Sequence, residues 1–316
     1  RCQMSFRLDI FIAVPGLPFS EKTFDQQSLG GSESAGFYIA KALHKLGHRV
    51  SVFCNVPERE KGEFANYLPI NMFTRYAAFC PHDVCVVQRI PELFPIHLRA
   101  RFSALWCHDL AMGRSEEKVK GTAWNYDKIF VLSEFMRKQY QQVYSFPDEL
   151  VFLTRNGVDL DTVAKVRAAL PADVTRNPLS LVYSARPERG LDVLLEHVMP
   201  RVLKYEPNAK LFLSTYHNPV DQLQDFYGKC DVLANQLRAQ FGPAAVQNLG
   251  PLNKAQLYQM YHAAGVYVYP TPSAFAPEFD EISCISAMEA MACGLPVVTS
   301  NRGALPETLA PGAGVG

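Results

Sequence analysis

Two glutamates that flank the start of a predicted helix are the residues most able to do chemistry in this sequence. Glu281 lies in a polar loop, and Glu289 follows eight residues later, within a stretch whose apolar residues recur at helical spacing. Eight residues make about two helical turns, so both carboxylates can project to one side with roughly 12 Å of helix axis between them. Such a pair can bind the hydroxyl groups of one ligand at two separate points.

The helix start between these glutamates predicts a site for an anion. With Ser283 as the N-cap, the unpaired amides are those of Cys284, Ile285 and Ser286. A carboxylate, an anion site and a second carboxylate then match, in order, the sugar hydroxyls, the diphosphate and the ribose of a nucleotide sugar. Two glutamates at this spacing also occur on ordinary solvated helices, so the pair alone does not establish the site.

The surrounding sequence resembles the donor site of a known family. Glu281 and Glu289 are separated by seven residues, the second is followed by Ala-Met-Ala-Cys-Gly-Leu-Pro-Val-Val, and residues 302–307 are similar to a Gly-Gly-x-x-Glu segment. This pattern resembles glycosyltransferase family 4, whose members are retaining, nucleotide-sugar-dependent enzymes with the GT-B fold. The resemblance implies that Glu281 fixes sugar hydroxyls as a catalytic residue and that Glu289 binds the ribose.

The phosphate loop of that pattern differs in this chain. Family members usually have glycine one and three residues after the first Glu, where this chain has Ile282 and Cys284. The resemblance still implies that the backbone at Cys284 and Ile285 binds the donor diphosphate.

A glycine pair marks the first loop of the chain. Strands are predicted at residues 8–14 and 49–54, and between them a helix that Ser32 would cap starts at Gly30 and Gly31. Glycines there let a ligand approach the backbone closely, but they also serve ordinary turns. The stretch resembles the family's Gly-Gly-x-Glu loop, which implies that Gly31 lies at the diphosphate and Gly30 on the acceptor side, with Glu33 a weaker candidate.

His108 follows a predicted strand, in the sequence Trp-Cys-His-Asp. A single histidine is usually a structural residue, but in many members of the family a histidine at this place reaches the reacting sugar. The resemblance therefore makes His108 a candidate catalytic residue that hydrogen-bonds the donor sugar or supports oxocarbenium-like charge. We expect its tautomer to be set by a neighbour such as Asp109.

Arg186 and Arg189 lie in one predicted strand-to-helix turn. Guanidinium groups bind phosphate through two parallel hydrogen bonds and keep their charge, although arginines are also common on ordinary surfaces. The turn resembles the family's Gly-Arg and Lys-Gly segment, with a shorter loop and with Arg189 in place of the lysine. The resemblance implies that both arginines bind the donor diphosphate.

Two further segments were interpreted through the same resemblance. Residues 246–254 are similar to the loop that holds the nucleotide base, which makes Leu252 a base-side candidate. Asp159 and Asp161 mimic the Asp-x-Asp metal motif of other glycosyltransferases, but we interpret them as a turn and a helix start because GT-B enzymes hold no metal there. We expect no metal and no cofactor, the nucleoside-diphosphate sugar being the donor substrate.

Short apolar strands alternate with helical stretches along the chain, which predicts an α/β protein with parallel sheets covered on both faces. The resemblance implies a GT-B fold, in which two Rossmann-like domains face a cleft. We expect an N-terminal acceptor-side domain at residues 1–172, a nucleotide-sugar-binding domain at residues 173–316 and a linker at residues 169–178. Family members usually continue beyond a segment like residues 302–307, so we expect a truncated second domain and a chain that belongs to a larger multidomain protein.

The composition excludes several classes of protein. The 316 residues are 48% hydrophobic, enough for two cores, and 31 basic residues balance 31 acidic ones, which argues against a nucleic-acid partner. Eight scattered cysteines form no Cys-x-x-Cys pair, which argues against a zinc site and favours a reducing compartment. With neither a signal-peptide pattern nor a membrane-length apolar run, we expect a cytoplasmic protein, and the slightly basic first half is compatible with peripheral contact at a membrane face.

The resemblance, taken with these features, implies a retaining, metal-independent hexosyltransferase that moves a sugar from a nucleoside diphosphate to a glycan or lipid-linked acceptor hydroxyl. The mechanism that the resemblance implies is front-face attack, in which the leaving diphosphate takes the acceptor proton. Two alternatives stay open: a nucleotide-sugar epimerase of the same fold, and a non-catalytic domain that binds sugar nucleotides or acts as a scaffold.

Overall fold

The computed structural model describes residues 6–24, 29–216, 221–309 and 314–315. The chain divides into two compact units, Arg1–Asn156 and Gly157–Gly316, called unit 1 and unit 2 below.

The described part of unit 1 contains one eight-stranded sheet with helices between the strands. The strands are Asp9–Ala13 (β1), Arg49–Cys54 (β2), Glu60–Lys61 (β3), Asn66–Pro69 (β4), His82–Gln88 (β5), Ala100–Trp106 (β6), Lys128–Val131 (β7) and Val151–Leu153 (β8). The α-helices are Gly31–Lys45 (α1), Phe73–Phe79 (α2), Glu116–Gly121 (α3) and Glu134–Tyr144 (α4). The strand order is β3-β4-β2-β1-β5-β6-β7-β8, and every pair is parallel except β3 with β4.

The described part of unit 2 contains a six-stranded parallel sheet. Its strands are Asn177–Tyr183 (β9), Lys210–Leu213 (β10), Val246–Asn248 (β11), Ala264–Tyr269 (β12), Val297–Thr299 (β13) and Gly314–Val315 (β14), in the order β11-β10-β9-β12-β13-β14. Its α-helices are Leu160–Ala169 (α5), Leu191–Val193 (α6), Met199–Tyr205 (α7), Gln224–Phe241 (α8), Lys254–Ala263 (α9), Ile285–Ala292 (α10) and Leu305–Thr308 (α11), with a π-helical turn at Leu194–Val198.

Each sheet has a point where the strand order reverses. In unit 1, β1 lies between β2 and β5, and in unit 2, β9 lies between β10 and β12. Open parallel sheets bind ligands outside the carboxyl ends of the strands at such points. The loops after β1 and β5, and those after β9 and β12, are therefore the places to look for a site.

The predicted boundary after residue 172 differs from the observed division, which falls between Asn156 and Gly157. Helix α5 packs against α9, and its Val163 and Val166 are buried in the core of unit 2. Arg176, in the predicted linker, donates to carbonyl oxygens of unit 2 that belong to Tyr261, Ala264 and Cys293. The predicted linker is thus part of unit 2, because hydrophobic burial and these hydrogen bonds fix it there.

The sequence prediction of parallel sheets and alternating helices is confirmed in both units. The predicted strand at residues 49–54 coincides with β2, and Ser133 caps α4 by accepting a hydrogen bond from the Met136 amide at 3.1 Å. Among the described residues, no helix has the length and apolar character needed to cross a bilayer.

Candidate functional site

Glu281 follows β12 and is fixed from two directions. The Tyr269 hydroxyl donates to Oε2 at 2.8 Å, and the next two backbone amides of the chain donate to Oε1 at 3.1 and 3.3 Å. The chain after β13 closes against the Glu281 backbone, since the Ala304 amide donates to the Glu281 carbonyl oxygen at 2.6 Å. Gly303 has a φ of +56°, and a Cβ there would lie 2.4 Å from the same oxygen. Only glycine fits this approach, and the half-buried carboxylate is held in one place.

The helix start after Glu281 differs from the prediction by one residue. Helix α10 begins at Ile285 with Cys284 as its N-cap, not Ser283. The reason is that the Ser283 amide donates to the Glu281 carboxylate, so Ser283 belongs to the Glu281 turn. The amides of the first turn are therefore those of Ile285, Ser286 and Ala287.

Cys284 replaces a glycine of the family pattern, and the fold accommodates it by burial. Its side chain is 3% exposed and packs into the core of unit 2, which raises the pKa of the thiol well above its usual range. The thiol is thus a neutral core group, and diphosphate binding by the backbone at Cys284 and Ile285 stays a prediction.

Glu289 is almost completely buried, at 2% exposure, and belongs to an ion pair. The Lys254 ammonium donates to Oε1 at 2.5 Å, and the Tyr258 hydroxyl donates to the same oxygen at 2.8 Å. Both partners come from α9, so this helix fixes the carboxylate proposed to bind ribose. The ribose role itself stays a prediction.

The Arg186 side chain pairs with a buried carboxylate. Its Nε lies 3.3 Å from Oε1 of Glu188, whose side chain is 8% exposed, and the Arg186 carbonyl oxygen accepts from the Tyr183 hydroxyl at 2.7 Å. The Arg186 side chain as a whole is 28% exposed. It therefore keeps a surface on which an anion can bind.

Arg189 is stacked on an aromatic ring of the Glu281 loop. Its guanidinium carbon lies 3.6 Å from the centroid of Phe279. Next to it, Gly190 has a φ of +106°, and a Cβ there would lie 2.3 Å from the Pro270 carbonyl oxygen. The arginine turn after β9 and the glutamate loop after β12 are thus packed together, so unit 2 brings Arg186, Arg189 and Glu281 to one edge of its sheet.

Five buried tyrosines, which we call the tyrosine layer, lie beneath this edge: Tyr183, Tyr258, Tyr261, Tyr267 and Tyr269. Besides the three bonds described above, the Tyr267 hydroxyl pairs with Ser286 Oγ at 2.7 Å and the Tyr261 hydroxyl pairs with Ser184 Oγ. Burial raises the pKa of Tyr183, Tyr261, Tyr267 and Tyr269 well above the usual value, so these four phenols stay neutral.

Leu252 is partly buried and packs against the core of unit 2. It precedes Asn253, whose side chain forms a capping box with Gln256 at the start of α9. Its predicted contact with a nucleotide base stays untested.

In unit 1, α1 begins at Gly31 with Gly30 as its N-cap, and no side chain caps it. The prediction that Ser32 is the cap is wrong, because the Ser32 hydroxyl donates to Glu33 Oε2 at 2.9 Å from within the first turn. Glu33 is 5% exposed and accepts from the Leu17 amide at 3.1 Å, so it ties the preceding loop to the helix. Ligand binding by Gly30 and Gly31 stays a prediction.

His108 has a different neighbour from the one predicted. Its Nε2 lies 2.9 Å from the Gln88 Nε2, whereas Asp109 forms a two-point pair with Arg89 at 2.8 and 2.7 Å. The Asp109 carboxylate therefore pairs with Arg89, and the side chain that contacts the His108 imidazole is Gln88. Burial, followed by the positive charge of Arg89, lowers the pKa of His108 to about 3. The ring is thus neutral at physiological pH.

Asp159 supports the interpretation of the Asp-x-Asp sequence as a helix start. Its side chain caps α5 by accepting from the Thr162 amide at 3.3 Å.

Sequence reasoning missed the residues that hold the predicted ones in place: Gln88, Lys254, Tyr258, Tyr269 and Phe279. Gln88 carried a signal, since it is a polar residue that follows four apolar residues, 84–87, at the carboxyl end of its strand. The others lie far along the sequence from the residues they contact or belong to apolar patterns that indicate a core.

Comparison with known proteins gives a family match for unit 2. Residues 179–315 match the family described as "Glycosyl transferases group 1". A D-inositol 3-phosphate glycosyltransferase from Mycobacterium sp. (strain KMS) is 25% identical over 193 residues, which cover 59% of this chain and 40% of that protein. This chain therefore spans less than half the length of that relative.

Solved structures match nearly the whole chain in fold. Sucrose-phosphate synthase from Thermosynechococcus elongatus superposes with a TM-score of 0.68 at 19% identity, covering 98% of this chain and 85% of that one. Anabaena HepE in complex with UDP-glucose superposes with a TM-score of 0.65 at 16% identity, covering 96% and 83%. The chain thus has the GT-B fold class, with two Rossmann-like parallel-sheet units, and its residues 179–315 match the group 1 glycosyl transferases.

Proposed function

We propose that this protein is a glycosyltransferase that moves a sugar from a nucleoside diphosphate to an acceptor hydroxyl with retention at the anomeric carbon. One observation carries the proposal: two arginines, a fixed carboxylate and a helix start follow the two strands of unit 2 between which the strand order reverses. Cations for a diphosphate and a carboxylate for sugar hydroxyls thus share the edge where parallel sheets bind ligands. The match to group 1 glycosyl transferases over residues 179–315 supports the same class.

The proposed roles follow from the chemistry of each group. Arg186 and Arg189 bind the diphosphate, Glu281 fixes sugar hydroxyls, and Glu289 accepts from the ribose. The bond between the anomeric carbon and the phosphate oxygen breaks as the acceptor oxygen bonds to the same face of that carbon. The acceptor proton passes to the departing diphosphate. Catalysis then rests on orientation and on stabilisation of the leaving charge, without a metal.

A nucleotide sugar as the donor is supported by HepE, whose solved structure of similar fold contains UDP-glucose. A glycan or a lipid-linked sugar is proposed as the acceptor.

A donor screen tests the proposal. The protein is incubated with UDP-, GDP- and ADP-sugars while thermal stability and release of nucleoside diphosphate are followed. We expect one donor to raise the melting temperature and to be hydrolysed slowly without acceptor. Stabilisation without release would favour a non-catalytic domain that binds sugar nucleotides, and no stabilisation by any donor would refute the proposal.

Variants with matched controls locate the activity. Arg186→Met should lower diphosphate release by on the order of 100-fold, as expected for loss of a group that acts on developing charge. Glu281→Gln should have an effect of about the same size, because the sugar loses its fixed orientation. Glu278→Gln, in the same loop but exposed, and Arg201→Met, on an exposed helix face, should leave the rate unchanged. Full activity of the Glu281 variant would exclude its proposed role.

A further inference from the structure

Gln88 lies at the end of β5 and is completely buried, so any partner of its amide belongs to the protein interior. Its Nε2 lies 2.9 Å from the Ser32 carbonyl oxygen and 2.9 Å from His108 Nε2. One side chain therefore connects the first turn of α1 to the histidine that follows β6.

The contact with Ser32 determines the orientation of the amide. A backbone carbonyl oxygen can only accept, so the amide group that faces it must be the nitrogen. The reverse orientation would place two acceptor oxygens 2.9 Å apart. The other amide atom, Oε1, is buried without a partner among the described residues, as is Nε1 of Trp106, the residue paired with Gln88 in the sheet. Neither Gln88 Oε1 nor Trp106 Nε1 thus forms a hydrogen bond that would favour the reverse orientation of the amide.

With the amide oriented in this way, the protonation of the imidazole follows. Nε2 of Gln88 donates one hydrogen to Ser32 and the other to His108, so Nε2 of His108 must accept. A neutral imidazole that accepts at Nε2 carries its proton on Nδ1. Within the described part of the chain, no residue forms a hydrogen bond with Nδ1.

The groups around the ring favour its neutral form. The Trp106 ring packs edge-on against His108, with centroids 4.6 Å apart, and the Arg89 cation is nearby. Asp109, which could stabilise an imidazolium, is paired with Arg89 instead.

We infer that Gln88 is a positioning residue that holds His108 as its Nδ1–H tautomer, so that the imidazole meets its ligand as a neutral hydrogen-bond donor. The inference rests on the proposed function for the class of its ligand, a sugar oxygen. His108 then stabilises that oxygen and removes no proton, because its only lone pair is already used by Gln88.

The wild-type protein provides the first test. The ring nitrogens of histidine have distinct ¹⁵N shifts in the two tautomers, and long-range ¹H–¹⁵N correlation spectra of ¹⁵N-histidine-labelled protein at neutral pH report them. The His108 signal is identified by its loss in His108→Gln. We expect the pattern of a protonated Nδ1 and an unprotonated Nε2, and the opposite pattern would overturn the inference.

Variants of Gln88 test the cause. Gln88→Glu introduces a carboxylate that can only accept, so the imidazole proton should move to Nε2, and Gln88→Leu should let both tautomers appear. Gln139→Leu is the matched control, because its Oε1 accepts from the Ala111 amide at 2.9 Å without contacting the imidazole. An unchanged His108 tautomer in both Gln88 variants would overturn the inference.

Turnover links the tautomer to the proposed function. With folding verified by circular dichroism, Gln88→Leu should lower kcat about 10-fold with little change in KM, the loss expected for one hydrogen bond made in the transition state. A variant with wild-type kcat would exclude the positioning role. The spectra need no substrate, so a protein that shows the expected tautomer but uses no nucleotide sugar would refute the proposed function separately.

Discussion

At the scale of single residues, unit 2 fixes its two candidate carboxylates with tyrosine hydroxyl groups. Tyr269 donates to Glu281, and Tyr258 donates to Glu289. A phenol hydroxyl orients a carboxylate without bringing a counter-charge to it, so the oxygens of Glu281 can also accept from hydroxyl groups of a ligand. Glu289 also has a cationic partner, Lys254. We therefore expect the stability of unit 2 to depend on the partner of Glu289.

Loss of Lys254 should destabilise unit 2 because it leaves the buried Glu289 without its cation. We expect Lys254→Met to lower the free energy of unfolding by about 3 kcal/mol, measured by urea denaturation. The double variant Lys254→Met/Glu289→Gln should recover most of this loss. Lys229→Met, which breaks an exposed pair with Glu196, should cost less than about 1 kcal/mol. Equal effects of the two lysine variants would contradict the prediction.

The stacking of Arg189 on Phe279 should contribute to anion binding. Without the ring, the guanidinium loses its fixed position and must be ordered when the anion binds. We expect Phe279→Leu to weaken binding of inorganic pyrophosphate about 5-fold in isothermal titration calorimetry. Phe279→Tyr, which keeps the aromatic face, should retain affinity.

Phe275→Leu is the control for this experiment, since Phe275 lies in the same loop but packs against Phe226. An equal loss of affinity in the control would assign the effect to the loop and not to the stacked pair.

At the scale of elements, the sequence predicted strands such as β1 and β2 and the helix between them because their patterns are local. Two of the wrong predictions were helix starts, at Ser32 and Ser283. In both cases a nearby glutamate carboxylate bonds the serine, through its hydroxyl at Ser32 and through its backbone amide at Ser283. A residue type indicates that a cap is possible, but such competition depends on geometry that only the folded loop defines.

The same limit applies to the candidate site. The types of Arg186, Arg189 and Glu281 indicated their chemistry from the sequence, because charge and spacing are visible there. The contacts of Phe279 and Lys254 were not predictable, since they join residues that are distant along the chain. The expected partner of His108 was wrong for a related reason: Asp109 is adjacent in sequence, but Arg89 on the neighbouring strand end binds it.

Gly190 tests how tightly the arginine turn is packed against β12. Its φ of +106° and the 2.3 Å approach to the Pro270 carbonyl oxygen leave no room for a Cβ. We expect Gly190→Ala to lower the free energy of unfolding of unit 2 by at least about 2 kcal/mol in urea denaturation.

Gly228→Ala makes the same substitution in the exposed interior of α8, where no atom lies within 4 Å of the added Cβ. It should raise the free energy of unfolding by about 0.5 to 1 kcal/mol. We thus expect the free energy of unfolding to decrease in Gly190→Ala and to increase in Gly228→Ala. An increase in Gly190→Ala would show that the turn is loosely packed.

At the scale of the whole molecule, three histidines that are partly or fully removed from water make both units sensitive to acid. Burial lowers the pKa of His82 and His108 in unit 1 and of His262 in unit 2. Their pKa in the folded state is thus below the unfolded value of about 6.5, so the unfolded chain binds more protons between the two values. The stability that depends on these neutral histidines is therefore fully present above about pH 6.5, and it is lost as the pH falls below that value.

The urea concentration at the unfolding midpoint should decrease when the pH is lowered from about 7.5 to about 5.5. Each histidine should account for at most about 1.4 kcal/mol of the lost free energy of unfolding. His82→Gln should reduce this pH dependence, because His82 is buried against Phe11 with ring centroids 4.1 Å apart. Replacement of the exposed His44 by glutamine should not. A midpoint that does not change with pH would contradict the prediction.

The closure of Gly303 and Ala304 on the backbone of Glu281 has a consequence for protein engineering. These two residues form a rigid frame, so mutant libraries aimed at a new sugar should leave them unchanged. A side chain at Gly303 would displace the Glu281 main chain. Most variants with such a substitution would be inactive, so they would reveal nothing about sugar selectivity. Diversity is better placed at exposed positions of the same loop, such as Glu278, where side chains can change while the frame keeps the carboxylate in position.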